Sequence, residues 1–399
     1  MSTTAERMRA WSGPAILSYG FRPFFLLAGI WAALAMALWV AMLAGLASLP
    51  SAFDPISWHA HEFLWGFLGA VLAGFLLTAV PNWTGGLPII GWPLAGLVAL
   101  WLAGRIAVAV STWLPPLAVA LADLAFLAAL ALALLREVVA GRNWRNLPVL
   151  ALLGLMVAAN GAFHAQAAAG GAPAQGAAMR AGLSVAVLLI ALIGGRVVPS
   201  FTRNWLARQP GHGRLPTPPG RADMACIGLS LAALLLWTAL PQAAVTAAAC
   251  LAAGLANLWR LSRWSGLQTR AEPLLWVLHL GFAFVPLGFM LVAAAAWAPA
   301  LFPAAGMQHA WLAGAIGTMT LAMMTRASLG HSGQALTAGR GTTAVYVLVL
   351  LAALLRLAAG FVPGQTWLLT VSGSAWIAAF GGFALLYAPL FMRARRRAL

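Results

Sequence analysis

A segment needs about 20 predominantly apolar residues to cross the hydrocarbon core of a bilayer as a helix. This chain offers such runs in succession, at 23–49, 59–80, 91–111, 114–136, 147–169, 178–200, 222–240, 242–260, 272–296, 307–328, 342–361 and 366–392. Backbone N–H and C=O groups cannot stay unpaired in lipid, so helices rather than an open sheet are expected. The sequence predicts an all-α fold, a polytopic membrane bundle of about twelve transmembrane helices, organised as a single integral membrane domain over 1–399. Turn-forming residues fill the connections, as in Pro81-Asn82-Trp83-Thr84-Gly85-Gly86 and Leu114-Pro115-Pro116.

Only 8% of the residues are charged and 63% are hydrophobic, against roughly 25% charged in soluble domains. Basic residues outnumber acidic ones 23 to 7, and all of them are arginine. In a soluble chain this excess would suggest nucleic acid; here it marks a cytoplasmic face, and no nucleic-acid partner is expected. If the helices alternate, one side collects Arg7 and Arg9, Arg136, Arg142 and Arg145, then Arg203, Arg208, Arg214 and Arg221, then Arg260, Arg263 and Arg270. Arg340 and the terminal Arg393, Arg395, Arg396 and Arg397 fall there too, and Arg180 is the exception. The bias predicts cytoplasmic termini. The first apolar run reads as a retained span, because no short apolar region with a cleavage site precedes it.

The two cysteines, Cys226 and Cys250, lie in separate apolar runs, and C-x-x-C-H is absent. Covalent c-type haem and thiolate zinc or iron–sulfur sites are therefore not expected. A metal in this chain would need His, Met, Tyr or carboxylate ligands.

Histidine is the usual protein ligand of haem iron and copper. His59 and His61 open the second run in Trp58-His59-Ala60-His61-Glu62, His164 lies late in the fifth, and His309 starts the tenth. Alternating helices put all four at the outer side, so they are the candidate metal ligands. Glu62, Asn160, Gln166 and Gln308 are candidate acceptors that would fix their tautomers. His59 and His61 point to nearly opposite sides of a continuous helix, so they share an ion only if His59 precedes the first regular turn. The plainer alternative is that such histidines face headgroups and water. His279 lies about 10 Å inside the cytoplasmic boundary at 1.5 Å rise per residue. It reads either as a core histidine or, beside Gly281, as a haem ligand. His331 follows the tenth run on the same side, and His212 falls in a polar connection. Met307 beside His309 is a candidate soft copper ligand.

Ionisable residues inside spans are functional candidates by default. Arg105 lies well inside the third run, and Arg196 and Arg326 near the inner ends of the sixth and tenth. Haem propionates would satisfy them, as would snorkelling to the interface. Asp123, in mid-span, suits a proton path or an arginine partner. The second, sixth and tenth runs share a faint echo, including equal spacing from His61 to Thr78 and from His309 to Arg326. A threefold four-helix repeat would account for it, as would chance.

These residues together resemble the NnrS family of haem- and copper-containing bacterial inner-membrane proteins. The resemblance runs through nearly the whole chain. It is carried by Gly20-Phe21-Arg22-Pro23-Phe24-Phe25, by Trp58-His59-Ala60-His61-Glu62 leading into Gly74-Phe75-Leu76-Leu77-Thr78-Ala79-Val80-Pro81-Asn82-Trp83-Thr84-Gly85, and by Gly194-Gly195-Arg196-Val197-Val198-Pro199. His309 with Gly314-Ala315-Ile316-Gly317, and Ser328-Leu329-Gly330-His331, complete it. The resemblance implies twelve spans in the bacterial inner membrane, non-covalent b-type haem, copper, and a role in the response to nitric oxide and nitrosative stress, often beside denitrification. The candidate ligands rest on histidine placement instead: His61, His164, His279, His309 and His331 with Arg105, Arg196 and Arg326 for the cofactors, and His59, His61, His164 and His309 for the metal.

The leading expectation is a haem–copper membrane protein that binds or turns over nitric oxide, supplied by a membrane or soluble electron donor. The alternatives are a secondary transporter of a small anion or metal complex, and a sensor that holds haem without catalysis.

Overall fold

The computed structural model describes residues 11–86, 88–211, 213–362 and 364–393, and every regular element among them is helical. Arg7, Arg9, His212, Arg395, Arg396 and Arg397 lie outside the described residues. Among the described residues, eleven helices are long and apolar enough to cross a membrane. They are α1 (Phe21–Leu43), α2 (Pro55–Pro81), α3 (Trp92–Ala109), α4 (Pro116–Ala140), α5 (Trp144–Ala168), α6 (Ala177–Leu206), α7 (Arg221–Ala239), α8 (Ala244–Ser262), α9 (Pro273–Trp297), α11 (Arg340–Phe361) and α12 (Thr366–Met392). The apolar run at 307–328 becomes α10, which is built in pieces: Ala304–Met307, a π segment Ala310–Gly317, and Thr318–His331. Twelve apolar runs were read in the sequence, and α10 is the helix that stands outside the eleven.

The chain divides into two compact units. One comprises residues 1–182, 327–334 and 380–399, the other 183–326 and 335–379. In the first unit α2 is the central helix, with 83% of its apolar window buried against 28% for α1 and 33% for α4. The side chains of Ile106, Leu117 and Leu132 face outward from α3 and α4, as lipid-facing positions do. Asp54 starts α2 by accepting from the Ile56 and Ser57 amides at 3.0 Å, and Pro55 occupies the first turn, where no N–H is needed. Gly85, in the left-handed region at φ 71°, closes the far end. Between them α2 widens into a π segment at Glu62–Phe67, a form found frequently at functional sites. Arg22, buried in α1, donates to the Phe391 and Arg393 carbonyls at 3.2 and 2.8 Å and so caps the end of α12.

The second unit is organised on α9, which buries fifteen of its residues from Leu274 to Ala295. Glu272 caps it by accepting from the Leu274 amide at 3.0 Å. A π segment also interrupts α6, at Ile190–Gly194. The widened turns thus fall in α2, α6 and α10, the three helices that share the sequence echo.

Candidate metal centre

His61 ends the regular first part of α2, and Glu62 opens its π segment. Both are fully buried. A two-residue separation turns His59 away from His61. Because the helix begins at Pro55, before His59, the two rings diverge. His59 stacks flat on Trp39, with centroids 4.4 Å apart, and touches Phe63.

Three other helices of the first unit converge on His61. From α4 comes Asp123, whose Oδ2 lies 3.0 Å from His61 Nε2. From α5 come Asn160 and His164, four residues apart and hence on one face. His164 Nε2 is 3.0 Å from Asp123 Oδ2, and Asn160 Nδ2 donates to the same oxygen at 2.7 Å. Asn160 Oδ1 stands 3.0 Å from His61 Nε2. From α3 comes Arg105, which donates to both oxygens of Glu62 at 2.7 Å and to Asp123 Oδ1.

Two glycines make this convergence possible. A Cβ on Gly66 would stand 2.7 Å from the Arg105 guanidinium and 2.8 Å from Glu62 Oε2. A Cβ on Gly104 would stand 3.0 Å from the Asp123 Cα, so α3 and α4 approach closely there. Aromatic rings close the cluster: Phe53 lies 5.3 Å from both imidazoles, Trp65 5.3 Å and Phe163 5.5 Å from His61.

Charge and hydrogen-bond capacity define what the cluster can do. Two carboxylates face one guanidinium, which leaves one negative charge in a site walled by apolar rings. A neutral imidazole has a single N–H, yet both nitrogens of His61 face carboxylate oxygens, Nδ1 to Glu62 at 3.1 Å and Nε2 to Asp123 at 3.0 Å. The second contact needs either another proton or a cation in its place. His61, Asp123 and His164 each offer one ligand atom, all within 4.8 Å of one another. Two ligands at about 2.1 Å from one ion stand roughly 3.0–3.4 Å apart, close to the observed separations of 3.0 Å from Asp123 Oδ2 to each imidazole. The donor set of two imidazoles and a carboxylate suits a borderline ion such as copper or zinc.

The remaining candidates stand elsewhere. Gln166 packs against the turn at Gly171 and Gly176. His331, in the first unit, sets its ring 5.7 Å from Phe21. In the second unit, His309 Nδ1 donates to the Ala305 carbonyl at 2.6 Å, and Met307 is fully buried. His279 Nε2 meets the Thr202 hydroxyl at 2.9 Å, while its Nδ1 has no hydrogen-bond partner among the described residues and faces Gly266, where a Cβ would stand 2.7 Å away. Arg196 is exposed, and Arg326 lies over the Phe201 ring at 4.1 Å. The structure therefore brings together His61, His164 and Arg105 with Glu62 and Asn160. The sequence reading gave Asp123 only a proton path or an arginine partner. The arginine partner is present, and the same carboxylate also bridges the two histidines. Its signal was a carboxylate in mid-span facing the same bundle as two histidines.

The sequence model of one family, described as NnrS protein, matches residues 15–395, nearly the entire chain. No curated protein matches it.

Proposed function

Because the chain belongs to the NnrS family, we propose that it is a haem- and copper-containing protein of the bacterial inner membrane that binds or turns over nitric oxide and protects against nitrosative stress. The observation that carries this reading is the buried His61–Asp123–His164 trio, a preformed three-donor set in which two carboxylates face one guanidinium.

His61 Nε2, His164 Nε2 and Asp123 Oδ2 would hold the copper. Copper bound there supplies a Lewis-acidic, one-electron centre for a small ligand. The chain's own residues do the rest. Glu62 accepts from His61 Nδ1, which fixes the tautomer and turns the Nε2 lone pair toward Asp123. Arg105 holds both carboxylates in place. Asn160 orients Asp123. Phe53, Trp65 and Phe163 exclude water from the imidazoles. The family resemblance implies haem. At His279 a porphyrin would have to displace Thr202 or the turn at Gly266.

Elemental analysis of the detergent-purified protein, with optical spectra before and after reduction and nitric oxide, tests this reading. Bound copper and a haem band that moves with nitric oxide support it; a protein free of both metals after supplemented expression contradicts it. The π segments in α2, α6 and α10 favour a second reading, a transporter with its site at interrupted helices. That reading predicts anion flux in proteoliposomes from metal-free protein.

A further inference from the structure

The second unit carries a partial copy of the metal centre's framework. In the first unit His61 precedes a π segment and is followed by Gly66 and Gly69; in the second, His309 precedes a π segment and is followed at the same spacings by Gly314 and Gly317. In the first unit α3 runs antiparallel to α2, with Trp101 donating to the Gly66 carbonyl at 2.9 Å and Arg105 level with Glu62. In the second, α11 runs antiparallel to α10: Gly360 meets Gly306 and Val349 lies beside Gly317. Interpolating between those two contacts places Arg356 level with Ala310, one residue from His309. Arg356 shares its helical stripe with Val349, Ala353 and Gly360, the side that packs on α10. Its register position corresponds to that of Arg105 in the first unit.

The carboxylates are what the copy lacks. Ala310 occupies the position of Glu62, and α12, which follows α11 as α4 follows α3, has no acidic residue. The second unit contains only Asp223 and Glu272. Asp223 pairs with Arg260 at 2.9 Å and Arg263 at 3.5 Å. Glu272 caps α9 and accepts from the Ala338 amide at 3.1 Å, beside the start of α11. Arg356 lies sixteen residues beyond Arg340, about 24 Å along the helix. Its half-buried guanidinium makes no hydrogen bond or ion pair among the described residues.

We propose that Arg356, beside the His309 turn of α10, forms an oxyanion site in the second unit. Its ligand supplies the negative charge that Glu62 and Asp123 supply in the first. A guanidinium without a counter-charge is costly inside a bilayer, and its planar fork matches a two-oxygen anionic group. That group belongs either to a small free oxyanion or to the phosphate of an anionic lipid. The proposal draws on the Arg105–Glu62 pairing of the first unit and does not depend on a metal being bound there.

The test compares wild type with R356Q in neutral detergent at constant ionic strength. Thermal unfolding is followed in nitrite and in phosphate against chloride, and native mass spectrometry follows retention of phosphatidylglycerol against phosphatidylcholine. The wild type should be stabilised by an oxyanion or retain the anionic lipid, and R356Q should lose that preference. The responding arm identifies the source. R356K, which keeps the charge but not the fork, should fold and show a weakened preference, which covers the case of R356Q failing to fold. A wild type indifferent in both arms, or a preference undiminished in the variants, overturns the site.

Discussion

His61 Nε2 and Asp123 Oδ2 stand 3.0 Å apart on α2 and α4, fully buried and separated by 62 residues of sequence. His164 Nε2 approaches the same oxygen at 3.0 Å. One carboxylate oxygen thus joins two imidazoles, and the consequences can be measured.

Asp123→Asn keeps the size of the side chain and removes the charge that draws a cation between the imidazoles. Copper affinity should fall by about 100-fold or more, since even residues that only orient ligands are worth roughly 10–100-fold. Competition against a chelator of known affinity reads this directly. An affinity within about twofold of wild type would remove Asp123 from the site.

Arg105→Met leaves Glu62 and Asp123 buried without their shared cation. Breaking a buried pair by deleting one partner costs about 3–5 kcal/mol, so thermal unfolding in detergent should move markedly downward. Adding Glu62→Gln should restore part of the loss. A single variant as stable as wild type would show that Arg105 does not hold the cluster together.

Both nitrogens of His61 face carboxylates, so a metal ion at Nε2 takes the place of a proton. Copper binding should release protons and weaken as pH falls. Titration calorimetry in two buffers of different ionisation enthalpy counts the protons. Identical heats in both would mean that no proton leaves.

His59→Ala should leave copper content unchanged, because its ring stacks on Trp39 and diverges from His61. Quantification beside His164→Ala, which should lose copper, separates the two histidines.

Gly66→Ala brings a methyl group within 2.7 Å of the Arg105 guanidinium and 2.8 Å of Glu62. It should lower copper affinity without touching a ligand. Unchanged affinity would show that the α2–α3 approach has slack.

The helical membrane fold was legible because lipid leaves the backbone few alternatives and apolar runs declare their own length. Alternation put His61 and His164 at one depth, and Glu62 and Asn160 were two of the four candidate acceptors, with Gln166 and Gln308. Grouping His59 and His309 by the same depth went further than depth permits. Depth carries no azimuth, and His59 faces Trp39, while His309 belongs to the other unit. Asp123 was read as part of a proton path or as an arginine partner rather than as a ligand, because a one-dimensional reading cannot show that Gly104 lets α4 approach α3 so closely. The π segment at Glu62–Phe67 also had no local signal, since its residues fit an α-helix as well.

The most direct test is electron paramagnetic resonance of the copper(II)-loaded protein, comparing wild type with His61→Ala, His164→Ala and Asp123→Asn. A centre built on His61, His164 and Asp123 predicts a single buried copper with hyperfine coupling to two imidazole nitrogens, one coupling lost in each histidine variant, and an altered spectrum in Asp123→Asn. Wild-type copper spectra persisting unchanged in all three variants would contradict it and place the metal elsewhere.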